Sequence, residues 1–115
     1  MTESSCIFCK IVSKQIPAAI IAENDQVLVI KDLHPKAPTH YLIIPKIHVQ
    51  DVQSLLANQL PQTAALFGMA QELSCKADPK NPQHFRLVIN SGYNAGQRVF
   101  HLHMHYLVGS IDGEV

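Results

Sequence analysis

His101-Leu102-His103-Met104-His105-Tyr106-Leu107 alternates imidazole and apolar side chains without a break before its final leucine. Side chains of a β-strand point alternately to opposite faces, so this run fits a strand with three imidazoles on one face, successive ones about 6.8 Å apart at Cα. Leu102, Met104 and Tyr106 then take the other face, toward a core. A strand over 99–108 built this way needs a sheet with one face closed by packing and the other committed to polar chemistry. Packing alone explains one strand histidine, not three in register. Two chemistries suit such a row. Imidazoles spaced His-x-His converge well on zinc. Alternatively, neutral imidazole is a nucleophile and proton carrier for phosphate chemistry, with neighbouring like charges discouraging protonation of the whole row.

The rest of the chain supplies a sheet for this strand. Ile7, Phe8, Ile11 and Val12 recur at helical spacing within residues 5–14, with Ser4 or Ser5 available as N-cap and Pro17 beyond the end. Residues 18–23 and 26–31 read as strands joined by a two-residue turn at Asn24-Asp25. Pro35 and Pro38 make 32–40 a loop, and 41–45 form a third strand closed by Pro45. Val49 to Leu56 suggests the start of a short helix. Pro61 suits the first turn of a longer one over 61–76, packed through Leu66, Phe67, Met69, Ala70 and Leu73. Residues 85–90 form a fourth strand. Before the histidines, residues 90–97 offer glycines, amides and exposed backbone N–H groups, which suit anion oxygens. This order predicts a single α+β domain over residues 1–115, with a five-stranded, largely antiparallel sheet and two helices.

Composition narrows the partners. The 115 residues include 9 Lys and Arg against 9 Asp and Glu, with pI near 7.0. A neutral surface is not built to hold nucleic acid phosphates or acidic lipid. At 47% hydrophobic and 16% charged residues, disorder is excluded. Met1-Thr2-Glu3-Ser4-Ser5 carries no secretory signature, and no apolar run approaches the ~20 residues that span a bilayer. The expected location is the cytoplasm, with reduced thiols; three cysteines also fit a disulfide framework poorly. Cys75 is expected to be an ordinary buried thiol. His34 and His84 are expected in solvent.

Three separated stretches resemble the histidine triad family, in its nucleotide-binding branch. The first is Ile7-Phe8-Cys9-Lys10-Ile11 with Ile16-Pro17-Ala18. The second is Asp32-Leu33-His34-Pro35-Lys36-Ala37-Pro38-Thr39-His40 with Leu42-Ile43-Ile44-Pro45-Lys46. The third is the histidine run, and together they cover about residues 6–109. The resemblance implies a purine nucleoside phosphoramidate hydrolase that releases AMP or GMP and an amine. It implies a homodimer joining two sheets into ten strands. His103 would be the nucleophile, forming a nucleotidyl-histidine intermediate. His105 would contact the phosphate, His101 would orient His103, and His40 would serve proton transfer to the amine. Ile7, Phe8, Ile11, Ile30 and Leu33 would surround the base, and Asp32 would accept from the ribose hydroxyls. Asn90, Gly96 and Val99 would lie around the phosphate. No catalytic metal is implied. Dinucleoside polyphosphate hydrolysis by the same nucleophile, a nucleotide- or zinc-binding interaction module with vestigial activity, and a metal-dependent hydrolase remain alternatives.

Two departures from the family pattern stand out. Gly96-Gln97-Arg98-Val99 replaces a common serine by Arg98, a long cation able to bind phosphate. The chain ends at Ile111-Asp112-Gly113-Glu114-Val115, without the Trp-containing tail of animal members. Cys6-Ile7-Phe8-Cys9 is a C-x-x-C pair that follows only five residues, whereas the thioredoxin-like motif follows a strand. Zinc needs two further ligands for tetrahedral closure, with His48 and His101 as candidates. Some bacterial relatives hold zinc with two cysteines, a central histidine and the first triad histidine. The resemblance therefore implies a structural zinc on Cys6, Cys9, His48 and His101; two unligated thiols are the alternative.

Overall fold

In the computed structural model, which describes residues 5–115, five strands form one antiparallel sheet. They are β1 (Ile20–Glu23), β2 (Val27–Lys31), β3 (Thr39–Pro45), β4 (Arg86–Val88) and β5 (Met104–Val108), in the spatial order β1-β2-β3-β5-β4. Helix α1 (Ile7–Val12) packs on one face and α2 (Ala64–Cys75) on the other. The alternation along β2 shows how both faces are filled. Val27 and Val29 meet Leu66, Met69, Ala70 and Leu73 of α2. Leu28 and Ile30 meet Phe8 and Ile11 of α1. A strand buried on both sides is apolar at every position, and each such side chain contributes about 1.5–3 kcal/mol of gross burial.

The histidine strand is shorter than its pattern. Of the expected 99–108, only Met104–Val108 joins the ladder, so His101 and His103 precede β5. The cause lies in the neighbour. Pro45 ends β3 and has no N–H to continue pairing. Leu102 N–H turns instead to the Val49 carbonyl at 2.8 Å, and the chain bends at residues 99–101. The expectation of one uninterrupted imidazole row is corrected accordingly.

β3 is longer than expected. It begins at Thr39, directly after Pro38, so His40 lies in the strand rather than in a loop. Its register partner is Leu107, and Leu42 pairs with His105, which sets His40 and His105 diagonally on one face. Residues 49–56 form turns, not a helix: Asp51 Oδ1 accepts from Ser54 N at 2.9 Å and Ser54 Oγ at 2.6 Å, closing the chain locally. The β1–β2 turn also moves by one residue. Asn24 Oδ1 accepts from Gln26 N and Val27 N, at 2.9 and 2.8 Å, so Asp25-Gln26 is the tip. Pro61 lies in a single 3-10 turn, Leu60–Thr63, and α2 starts after it. β4 covers only part of the expected 85–90. α1 is capped by Cys6, whose Sγ accepts from Cys9 N at 3.4 Å; Ser4 lies outside the described residues. Among the described residues, no helix is long and apolar enough to cross a membrane.

Candidate active site and metal centre

The bend before β5 divides the three histidines between two sites. His101 has no exposed surface, and its two ring nitrogens are committed differently. Nε2 lies 2.8 Å from the Pro45 carbonyl, which can only accept, so Nε2 carries the proton. Nδ1 is left as a lone pair, 3.4 Å from Cys6 Sγ, 3.6 Å from Cys9 Sγ and 3.3 Å from His48 Nδ1. Cys9 Sγ lies 3.3 Å from His48 Nδ1. A tetrahedral zinc with bonds of about 2.3 Å to sulfur and about 2.05 Å to nitrogen sets N···S edges near ~3.6 Å and N···N edges near ~3.4 Å. The four separations given above are close to those values, and all four donor atoms lie within 4.8 Å of one another. The donor set, two thiols and two imidazoles with one tautomer fixed by a backbone carbonyl, fits zinc in both chemistry and second-layer support. Cys6 and Cys9 come from the N-cap and first turn of α1, His48 from the segment after β3, and His101 from the run into β5.

His103 stays on the open side. Its Nδ1 lies 2.8 Å from the His101 carbonyl and must donate to it, which leaves the Nε2 lone pair free in the neutral ring. Phe8 meets this ring edge-on at 5.2 Å between centroids, fixing its plane. His105 packs against it, also at 5.2 Å.

A chain of hydrogen bonds fixes the tautomer of His105. Lys36 N–H donates to His40 Nδ1 at 3.0 Å, so His40 carries its proton on Nε2. That N–H points to His105 Nδ1 at 2.8 Å, with Asp32 Oδ2 at 3.4 Å. His105 Nδ1 is therefore the acceptor, and His105 Nε2 carries a hydrogen. Asp32, His40 and His105 are close enough to be considered as metal ligands. The 2.8 Å separation is a hydrogen bond, however, and is shorter than the roughly 3.4 Å between two nitrogens on one zinc.

A cavity of about 310 Å³ opens beside these rings. Among the residues expected at a nucleotide, Ile7, Phe8, Ile11, Ile30, Asp32, Leu33, Asn90, Gly96, Arg98, Val99, His103 and His105 all line it. His40 does not: it is buried and hydrogen-bonded to His105 instead of reaching the cavity wall. Sequence reasoning missed Lys31, Leu42 and Val115 on the wall. Leu42 was legible in principle as the register partner of His105, whereas Val115 had no signal. Asn90 Nδ2 donates to the Val115 carbonyl at 2.7 Å, which holds the amide at the cavity edge. Gln97, part of the loop read as an anion cradle, is instead a brace. Its amide donates to the carbonyls of Gln50 and Val99 and accepts from Gly92 N. His34 and His84 are exposed as expected, and Cys75 is half-buried rather than buried.

Burial sets the charge state of the triad. Desolvation pushes His105 down to about 4, reinforced by His103 and His40 and opposed by Asp32. His103 and His40 are lowered by the same main cause. The rings are thus neutral at physiological pH, as a nucleophile and a tautomer-specific donor require. A proton NMR titration of ring C–H resonances is expected to show a His105 midpoint near 4. A midpoint near the ordinary ~6.5 would contradict the buried, hydrogen-bonded geometry.

The chain matches the family model described as scavenger mRNA decapping enzyme C-term binding, over residues 5–115. It is 44% identical over 105 residues to an uncharacterised HIT-like protein of Synechocystis, covering 90% of this chain and 89% of that protein. The structure of a HIT family hydrolase from Legionella pneumophila Philadelphia 1, 36% identical, matches with a TM-score of 0.84 over 92% of this chain and 94% of that one. A zinc-bound histidine triad family protein from Mycobacterium smegmatis, 33% identical, matches with a TM-score of 0.75 over 92% of this chain and 76% of its own.

Proposed function

The chain belongs to the histidine triad (HIT) family, and from that premise we propose that it hydrolyses purine nucleoside 5′-phosphoramidates through a nucleotidyl-histidine intermediate on His103. One observation carries this reading. His103 donates from Nδ1 to the His101 carbonyl, so its free Nε2 lone pair belongs to a ring that lines the cavity. In the first step Nε2 attacks the α-phosphorus, the P–N bond to the amine breaks, and the amine leaves with one added proton. Water then cleaves the phosphorus–His103 bond and releases the nucleoside monophosphate. Dividing the displacement this way replaces one difficult step with two easier ones.

His105 donates from Nε2 to the phosphate oxygens, as its tautomer requires. Protonation of the leaving nitrogen favours its departure; because the rings are neutral, that proton comes from water, and His40 acts by holding His105 in its donor tautomer. Asp32 binds the ribose hydroxyls: one oxygen already holds His34 N–H at 2.8 Å, which orients the carboxylate at the cavity wall. Ile7, Phe8, Ile11, Ile30 and Leu33 take the base, with the largely exposed Leu33 at the rim. Asn90, Gly96 and Val99 border the phosphate. Zinc on Cys6, Cys9, His48 and His101 is structural, because four protein ligands leave no position for water. The sheet edges β1 and β4 are available for joining two copies into a ten-stranded homodimer.

The direct test uses a fluorogenic adenosine phosphoramidate with and without a strong chelator, below the melting temperature of the metal-free protein. Release is expected to continue under chelation, with an acid-labile adenylate on the intact protein after brief reaction. Release that stops with chelator and returns with metal would overturn the histidine mechanism in favour of a metal-dependent hydrolase.

A further inference from the structure

A second cavity, of about 400 Å³, adjoins the first. The two share Ile7, Arg98 and Val99 on their walls, so Arg98 lies where they meet. Its guanidinium is held in place. It stacks 4.0 Å above the Tyr93 ring, and Nη1 donates to the carbonyls of Tyr93 and Gln97 at 2.8 and 3.0 Å. That fixes the fork while spending only one of its three nitrogens. The ion pairs of the described residues join Lys14 and Lys46 to Glu23 and His40 to Asp32, and none engages Arg98. The result is an exposed, pre-oriented cation without a carboxylate partner among the described residues, on a residue that lines both cavities.

We propose that the second cavity receives the leaving group and that Arg98 selects leaving groups bearing an anion. The proposal rests on the phosphoramidase reading above. The smaller cavity is close to the lower limit for a small-molecule site, about 300 Å³, so a bound nucleotide leaves little room there for an amine substituent. The adjoining space is open to it. Ser5 and Gln50 also line that space, adding polar side chains that suit an anion as well as Arg98 does. The P–N bond breaks as the phosphorus–His103 bond forms. The departing amine keeps its anion and takes up one proton from water. A guanidinium at the junction contacts such an anion and has nothing to pair with in a neutral leaving group.

The test compares leaving amines of equal size on adenosine 5′-phosphoramidate: β-alanine, its neutral primary amide, and aminomethylphosphonate. Within each protein the readout is the ratio of kcat/KM between the charged and neutral substrates. The wild-type ratio is expected to be about tenfold or more. It should fall close to one in Arg98→Gln and be partly kept in Arg98→Lys. The carboxylate and phosphonate arms tell which anion the site prefers. Turnover of the neutral amide with no preference for the charged substrates, or a preference retained in Arg98→Gln, overturns the role of Arg98 and leaves the phosphoramidase reading intact. Turnover of none of the three overturns both.

Discussion

His103→Ala is expected to lose about 10⁴-fold or more in kcat on an adenosine phosphoramidate while still binding AMP. The loss is large because the covalent route disappears, not because a contact weakens. His103 Nε2 is the atom that would carry the nucleotide, and the neighbouring His105 cannot replace it. His105 Nδ1 accepts from His40, which places the hydrogen on its Nε2 and leaves no lone pair toward phosphorus. The variant also removes the donor to the His101 carbonyl. An orphaned buried acceptor costs roughly 1–3 kcal/mol, so some loss of thermal stability accompanies the change. Calorimetric AMP binding separates the two effects: a folded variant that binds AMP but forms no adenylate identifies the nucleophile. Turnover within tenfold of wild type would remove His103 from that role.

Cys9→Ser is expected to abolish zinc binding and lower the melting midpoint by about 10 °C or more. The hydroxyl of serine is not ionised near neutral pH and is a poor zinc ligand, while Cys9 is only 2% exposed, so no solvent-side donor replaces it. Structural zinc stabilises small zinc-finger peptides by about 10–16 kcal/mol. Here a sheet and two helices provide a core of their own, so a loss of about 3–5 kcal/mol is the reasonable scale, at roughly 4 °C or somewhat less per kcal/mol for a domain of this size. Zinc content of protein purified without chelator, and melts with and without chelator, check this. Wild-type protein that lacks zinc across preparations and melts identically with chelator would leave Cys6 and Cys9 as unligated thiols.

Much of the fold was legible because periodicity maps directly onto faces. The apolar run at Val27-Leu28-Val29-Ile30 demanded burial on two sides, and both helices are there to provide it. The boundaries were less legible because they depend on partners distant in sequence. Pro38 looked like part of a loop, yet a proline before the first strand residue removes no ladder bond, and β3 starts beside it. That single shift moves His40 from a loop to the triad face. The histidine run misled in the opposite direction. Local alternation extended the strand back to residue 99, whereas the missing N–H of Pro45 and the pull of the cysteine cluster on His101 end the ladder at Met104. The cluster of Cys6, Cys9, His48 and His101 was suggested by spacing and resemblance, but its tautomer was not, since it depends on a carbonyl 56 residues away. The 90–97 loop was read as suited to anion oxygens partly for its amides; only the depth of Gln97 shows that the partners of its amide are the protein's own carbonyls.

His101 takes part in both sites with different atoms. Its ring faces the cysteines, and its backbone carbonyl holds the ring of His103. Those two links pass through one Cα. The metal centre and the reacting imidazole are therefore joined through the backbone of one residue. A substitution at residue 101 removes a ligand of the metal centre but leaves the carbonyl, so it reaches His103 only through the placement of the backbone. A lineage that lost the metal ligands would keep the acceptor for His103, because a main-chain carbonyl is present whatever the side chain at residue 101.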